Sequence, residues 1–142
     1  MQKDYVLVLA NHLDQLALIE TWLKDVAVGV GLNSDDVFNL QLLLNEAVTN
    51  VIQHAYTDEN EHRITITASS TYRVLSVIID DDGIPFDPSA YPEPVLTANL
   101  QEAVIGGLGI KLIRSHTTTM TYRRVGEQNQ LTLTLDRSQP PR

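Results

Sequence analysis

A chain of 142 residues, 43% hydrophobic and 20% charged, is the length of one compact domain with a core of its own. Eighteen Asp and Glu against ten Lys and Arg leave a net charge of −8, which excludes a sequence-independent grip on nucleic acid, because that grip needs cations clustered on phosphate. The absence of Cys excludes a disulfide framework, a thiol nucleophile and a thiolate metal site, and no run reaches the roughly 18 apolar residues of a membrane helix, so the chain reads as soluble, unprocessed and cytoplasmic.

The first element is an apolar, β-rich run at residues 5–10, read as a strand. Residues 13–28 then carry Leu13, Leu16, Ala17, Ile19, Leu23 and Val26 at helical spacing, and Gly29 and Gly31 stop that helix. Ser34 followed by Asp35 and Asp36 predicts an N-cap and an acidic first turn for a second, longer helix over residues 37–55. Two β-branched runs at 63–69 and 74–80, joined by a short polar connection, predict an antiparallel hairpin. Residues 83–105 hold Pro85, Pro88, Pro92 and Pro94 with no period, the pattern of a long loop that could close over a site. A short helix at 108–116, a closing hairpin at 118–125 and 130–136, and a loose tail at 138–142 complete the chain, with one domain spanning 1–137.

The long helix is where the chemistry concentrates. At about 3.6 residues per turn, Glu46, Asn50 and His54 fall along one stripe, while Leu40, Leu44, Ala47, Val48, Val51 and Ala55 fall on the other side. The amide oxygen of Asn50 is a hard ligand suited to Mg²⁺, and Glu46, one turn away, can take a proton from a nucleophile or orient a water. Asp81-Asp82-Gly83 follows a strand and opens into the long loop, where a carboxylate can accept the exocyclic amine of adenine. Gly106-Gly107-Leu108-Gly109 opens a helix, so its free N–H groups and the positive end of the dipole can face phosphate. Taken singly, the first two read more readily as a solvated helix face and an acidic turn, and the third reads equally as a flexible hinge. Their joint occurrence in this order points to ATP, and the acidity of the chain then calls for a divalent cation to screen the phosphates.

The Glu-x-x-x-Asn helix, the Asp-x-Gly after a strand and the Gly-x-Gly before a helix resemble the three ATP-binding boxes of the GHKL superfamily of gyrase, histidine-kinase and MutL-type sites. Within it, Asn45-Glu46-Ala47-Val48-Thr49-Asn50, Gln53-His54-Ala55-Tyr56 and Asp82-Gly83-Ile84-Pro85-Phe86-Asp87 look most like the small anti-sigma-factor serine/threonine kinases of the RsbW and SpoIIAB type. The resemblance spans most of the chain. It implies an α+β fold, a two-layer sandwich of the Bergerat ATP-binding type, with a mixed, mostly antiparallel sheet covered on one face by three helices. It implies Glu46 as general base, Asn50 as the Mg²⁺ ligand, Asp81 as the adenine contact, Gly83 beside the ring, and Gly107, Leu108 and Gly109 around the phosphates. His54 receives no role, and Thr132 is the candidate for a threonine near adenine. Pro85 stands where the wider superfamily often has a second glycine.

The function so implied is ATP-dependent phosphorylation of a STAS-domain anti-anti-sigma factor, together with sequestration of a sigma factor, by a protein that forms a homodimer. Exposed apolar residues of the first strand and first helix could supply that interface. The alternative is a nucleotide-gated switch that sequesters a partner with little or no kinase activity. A detached histidine-kinase catalytic domain is disfavoured, because His12 lacks the helical dimerisation segment that a phosphoacceptor requires.

Overall fold

A computed structural model describes residues 3–71, 74–86 and 119–136. The elements run β1 (Lys3–Ala10), a 3-10 turn (Leu13–Leu16), α1 (Ala17–Val30), α2 (Ser34–His54), β2 (Arg63–Thr71), β3 (Val74–Asp81), β4 (Thr119–Val125) and β5 (Gln128–Asp136). The strands form one sheet in the order β1-β2-β3-β5-β4. All four pairings are antiparallel, so the sheet of the described residues is not mixed as the resemblance implied. Of the three helices expected, α1 and α2 are present, and the span 108–116 lies outside the described residues, as do most of the long loop and the 138–142 tail.

Strict alternation builds the inner face of the sheet. Ile64, Ile66 and Ala68 of β2, Leu75, Val77 and Ile79 of β3, and Leu131 and Leu133 of β5 are buried against the helices. From the helical layer come Ile19, Trp22, Leu23 and Val26 of α1, and Leu40, Leu43, Leu44, Ala47, Val48 and Val51 of α2. The two layers therefore share one core.

Helix ends differ from the sequence expectation for identifiable reasons. The turn at Leu13–Leu16 is 3-10, and α1 continues past Gly29 to Val30 before Gly31 closes it with φ at 77°. A Cβ on Gly29 would meet the hydroxyl end of the Tyr5 side chain, so α1 lies close against β1 at this residue. The N-cap of α2 is Asn33, not Ser34: Asn33 Oδ1 accepts from the Asp36 N–H at 2.8 Å. Asp35 and Asp36 occupy the first turn as expected. At 21 residues α2 is the longest element among the described residues.

Candidate functional site

Asn50 is no part of a solvated stripe. It is buried at 9% exposure, among the apolar residues of α2. An amide placed among apolar side chains is costly unless a polar partner or ligand completes it. One turn earlier Glu46 is half-buried, and that burial raises its pKa above the ordinary 4.5. The oxygen of Asn45, beside it, is buried with no partner among the described residues. His54, one turn past Asn50, is exposed and meets Phe86 with ring centroids 5.7 Å apart.

The end of β3 meets the end of α2. Asp81 is 4% exposed, on the inner face of the sheet. Its Oδ1 accepts from the Gly83 N–H at 2.9 Å and from Asn129 Nδ2 at 2.9 Å, which leaves Oδ2 as the second acceptor of the carboxylate. Burial pushes the Asp81 pKa up, Asn129 and Gly83 pull it back, and Asp82 and Arg124 act as smaller opposing charges. Gly83 is buried and its role is steric: a Cβ there would come within 2.4 Å of the Ala55 carbonyl oxygen and 2.6 Å of Ala55 Cβ. The Ile84 N–H donates to that same carbonyl at 2.7 Å. Gly83 is thus required by the approach of the α2 C-cap, whereas the sequence reading assigned it room for a ring. The contact ties the element carrying Asn50 to the element carrying Asp81.

Two groups escaped sequence reasoning. Asn129, on β5, reaches Asp81 and the Ile84 carbonyl, and Arg124 Nη1 of β4 donates to the Gly83 carbonyl at 2.6 Å. Nothing local marks Asn129; only the register Asp81↔Asn129 brings it there, across 48 residues. The same register corrects Thr132. It lies between the inward Leu131 and Leu133, paired with Ile78 and Thr121 on the opposite face of the sheet from Asp81.

Residues 55–62 form a second polar assembly beside Gly83. The Tyr56 and His62 rings stack at 4.4 Å. His62 bridges Asp58 at 2.7 Å and Asp82 at 3.1 Å, and these two carboxylates raise its pKa above 6.5. The Tyr56 hydroxyl is buried without a partner among the described residues, and burial, then Asp81 and Asp82, push its pKa upward. An open cavity of about 290 Å³ is lined by Tyr56, Asp58, His62, Asp82, Gly83 and Arg124 among others. It reaches Gly83 and Ile84 after β3, and neither Glu46 nor Asn50 lines it.

Gly106, Gly107, Leu108 and Gly109 lie outside the described residues. Among the described residues no cluster of three or more His, Asp or Glu side chains could enclose a metal. Likewise, no described helix is long and apolar enough to cross a membrane.

The family pattern of the histidine kinase-like ATPase domain matches residues 9–135. A serine/threonine-protein kinase, BtrW of Bordetella bronchiseptica, is 34% identical over 113 residues, covering 80% of each chain. The serine-protein kinase RsbW of Bacillus velezensis is 34% identical over 74 residues, which cover 52% of this chain and 46% of that protein. Among solved structures, the histidine kinase domain of the Erythrobacter litoralis EL346 blue-light activated histidine kinase superimposes with a TM-score of 0.59 at 18% identity, over 84% of this chain and 61% of that one.

Proposed function

Since the chain belongs to the histidine kinase-like ATPase family, we propose that it is an ATP-dependent protein serine/threonine kinase of a partner-switching system. Its substrate is a serine or threonine of a STAS-domain anti-anti-sigma factor, its second partner a sigma factor, and its working form a homodimer. The names of the relatives, serine/threonine-protein kinase and serine-protein kinase, support the reaction class.

The observation that carries the reading is the Asn50 amide, buried among the apolar residues of α2, one helical turn from a half-buried carboxylate of raised pKa. Glu46 accepts the proton of the substrate hydroxyl as its oxygen attacks the γ-phosphorus in line and the bond to ADP breaks. Asn50 offers its side-chain oxygen to Mg²⁺, which when bound neutralises charge on the phosphates. Asp81 accepts the amine of adenine through Oδ2, its Oδ1 being held by Gly83 and Asn129. The N–H groups of Gly107, Leu108 and Gly109 cradle the phosphates.

Calorimetric titration with ATP and ADP, with and without Mg²⁺, tests the site. Wild type binds, Mg²⁺ tightens the ATP isotherm, and Asp81→Asn loses about tenfold or more in affinity, the loss expected when a hydrogen bond to a charged group goes. A folded wild type that binds neither nucleotide overturns the kinase reading.

A further inference from the structure

Asn129 is 2% exposed, and both polar ends of its side chain are engaged. Nδ2 donates to Asp81 Oδ1 at 2.9 Å and to the Ile84 carbonyl at 2.7 Å. Oδ1 accepts from the Phe86 N–H at 3.2 Å, from Arg124 Nη1 at 3.2 Å and from the Tyr122 hydroxyl. The partners fix the amide's orientation: turned over, its NH₂ would face three donors and its oxygen would face a carboxylate and a carbonyl. An oriented donor is therefore aimed at Asp81 from the register partner directly across β3 and β5.

We propose that this donor makes Asn129 the residue that sets purine specificity, an inference that rests on Asp81 being the contact of the adenine amine. With Oδ1 taken by Asn129 and Gly83, the carboxylate can neither swing nor readily exchange its two oxygens. Its Oδ2 is then presented as an acceptor. An acceptor there receives an N–H of adenine and repels the carbonyl of a 6-oxopurine, so ADP binds and IDP is refused. Without the Asn129 donor, Oδ1 keeps only the Gly83 N–H, so the buried carboxyl is held by one contact in place of two and takes up a proton more readily, and a protonated carboxyl donates to the 6-oxopurine carbonyl. Asn129 touches no base itself and acts through Asp81. Its loss therefore changes the ratio of the two affinities, whereas a purely structural lesion would weaken both nucleotides together.

The test is calorimetric titration of the full chain with Mg-ADP and Mg-IDP for wild type, Asp81→Asn and Asn129→Thr, with thermal unfolding of each. Wild type favours ADP, Asp81→Asn reverses or erases the preference, and Asn129→Thr cuts the IDP-to-ADP Kd ratio by about tenfold or more, the factor that one hydrogen bond to a charged group supplies. A folded Asn129→Thr that keeps the wild-type ratio, while Asp81→Asn loses it, overturns this inference and leaves the nucleotide site standing. A wild type that binds neither nucleotide, or both equally, overturns the reading of Asp81 and this inference with it. Should Asn129→Thr not fold, the double variant Tyr122→Phe/Arg124→Gln strips two of the three donors that orient the Asn129 amide. A reduced ratio in that variant supports the inference, and an unchanged ratio overturns it.

Discussion

A general base has to be basic enough to take a proton and still be ionised when the substrate arrives. Glu46, the proposed base, gains basicity through partial burial, which raises its pKa without a neighbouring charge contributing to the shift. The same burial carries a stability cost with a definite sign. Folded Glu46 holds its proton more tightly than the unfolded chain does. Between the ordinary value of 4.5 and the raised one, stability therefore falls as pH rises, and the full cost is present above that window. Glu46→Gln removes the charge and keeps the shape. It lowers phosphoryl transfer by about 10²- to 10⁴-fold, the usual contribution of a positioned base, and leaves ATP binding near wild type. It also unfolds at a higher temperature than wild type at pH 7, with the difference shrinking toward pH 4. Scanning calorimetry across that range, beside a kinase assay, checks both halves. A variant no more stable than wild type at neutral pH would contradict the burial argument, and one that phosphorylates at the normal rate would remove Glu46 as the base.

At the scale of elements, what the sequence carried depended on distance along the chain. The one-turn spacing of Glu46 and Asn50 is local, so the helix and its polar pair were legible, and so was Asp81 at a strand end. The burial of Asn50 was not legible, because the side of α2 that meets the sheet depends on how the two layers dock. The N-cap moved by one residue to Asn33 because adjacent capping side chains compete and local pattern cannot choose between them. Asn129 and the outward turn of Thr132 follow from the β3–β5 register, a pairing set by tertiary structure. The segment after α2 adds a pH-dependent tie that motif reading also missed. His62 joins Asp58 in its own loop to Asp82 at the end of β3. Its pKa is raised above 6.5, so the stabilisation is fully present below 6.5 and is lost as pH rises through the folded value. On the acid side, Asp58 is held below its ordinary 3.8, chiefly by the His62 hydrogen bond, so the tie fails only when pH falls through that lowered value. His62→Gln, which cannot carry the charge, is therefore most destabilised relative to wild type in the window near about pH 6 and converges on it in alkali. Thermal unfolding of the pair from pH 5 to pH 9 measures this. A difference that does not narrow on the alkaline side would show that the contact acts through ring stacking on Tyr56 and not through charge.

For the molecule as a whole, a two-layer arrangement leaves one side of the sheet without a partner layer among the described residues. Val6 and Val8 of β1 point to that side at 56% and 50% exposure. Across the pairings they stand beside Thr67 and Thr65 of β2, and Thr67 stands beside Ile78 of β3. The row Val6, Thr67, Ile78 is thus β-branched and uncharged, with Asp80 in the neighbouring row beside Thr65, a composition that suits a flat, self-complementary contact about a two-fold axis. Two copies that each carry −8 repel one another, so an interface here has to act through apolar burial and not through ion pairs. The proposed homodimer therefore tightens as salt screens the repulsion, opposite to the behaviour of an assembly held by salt bridges. Val8→Lys places an ammonium on the contact, at the edge strand β1, where burying an unpaired charge costs several kcal/mol. Because Val8 faces away from the core shared with the helices, the substitution leaves the monomer fold and the ATP isotherm unchanged. Sedimentation equilibrium decides the matter. Wild type runs as a dimer that tightens with salt, and Val8→Lys runs as a monomer under the same conditions. If both run as dimers the interface lies elsewhere on the chain, with the exposed Leu18 and Val28 of α1 as the next surface to charge, and a wild type that stays monomeric at every salt concentration removes the homodimer.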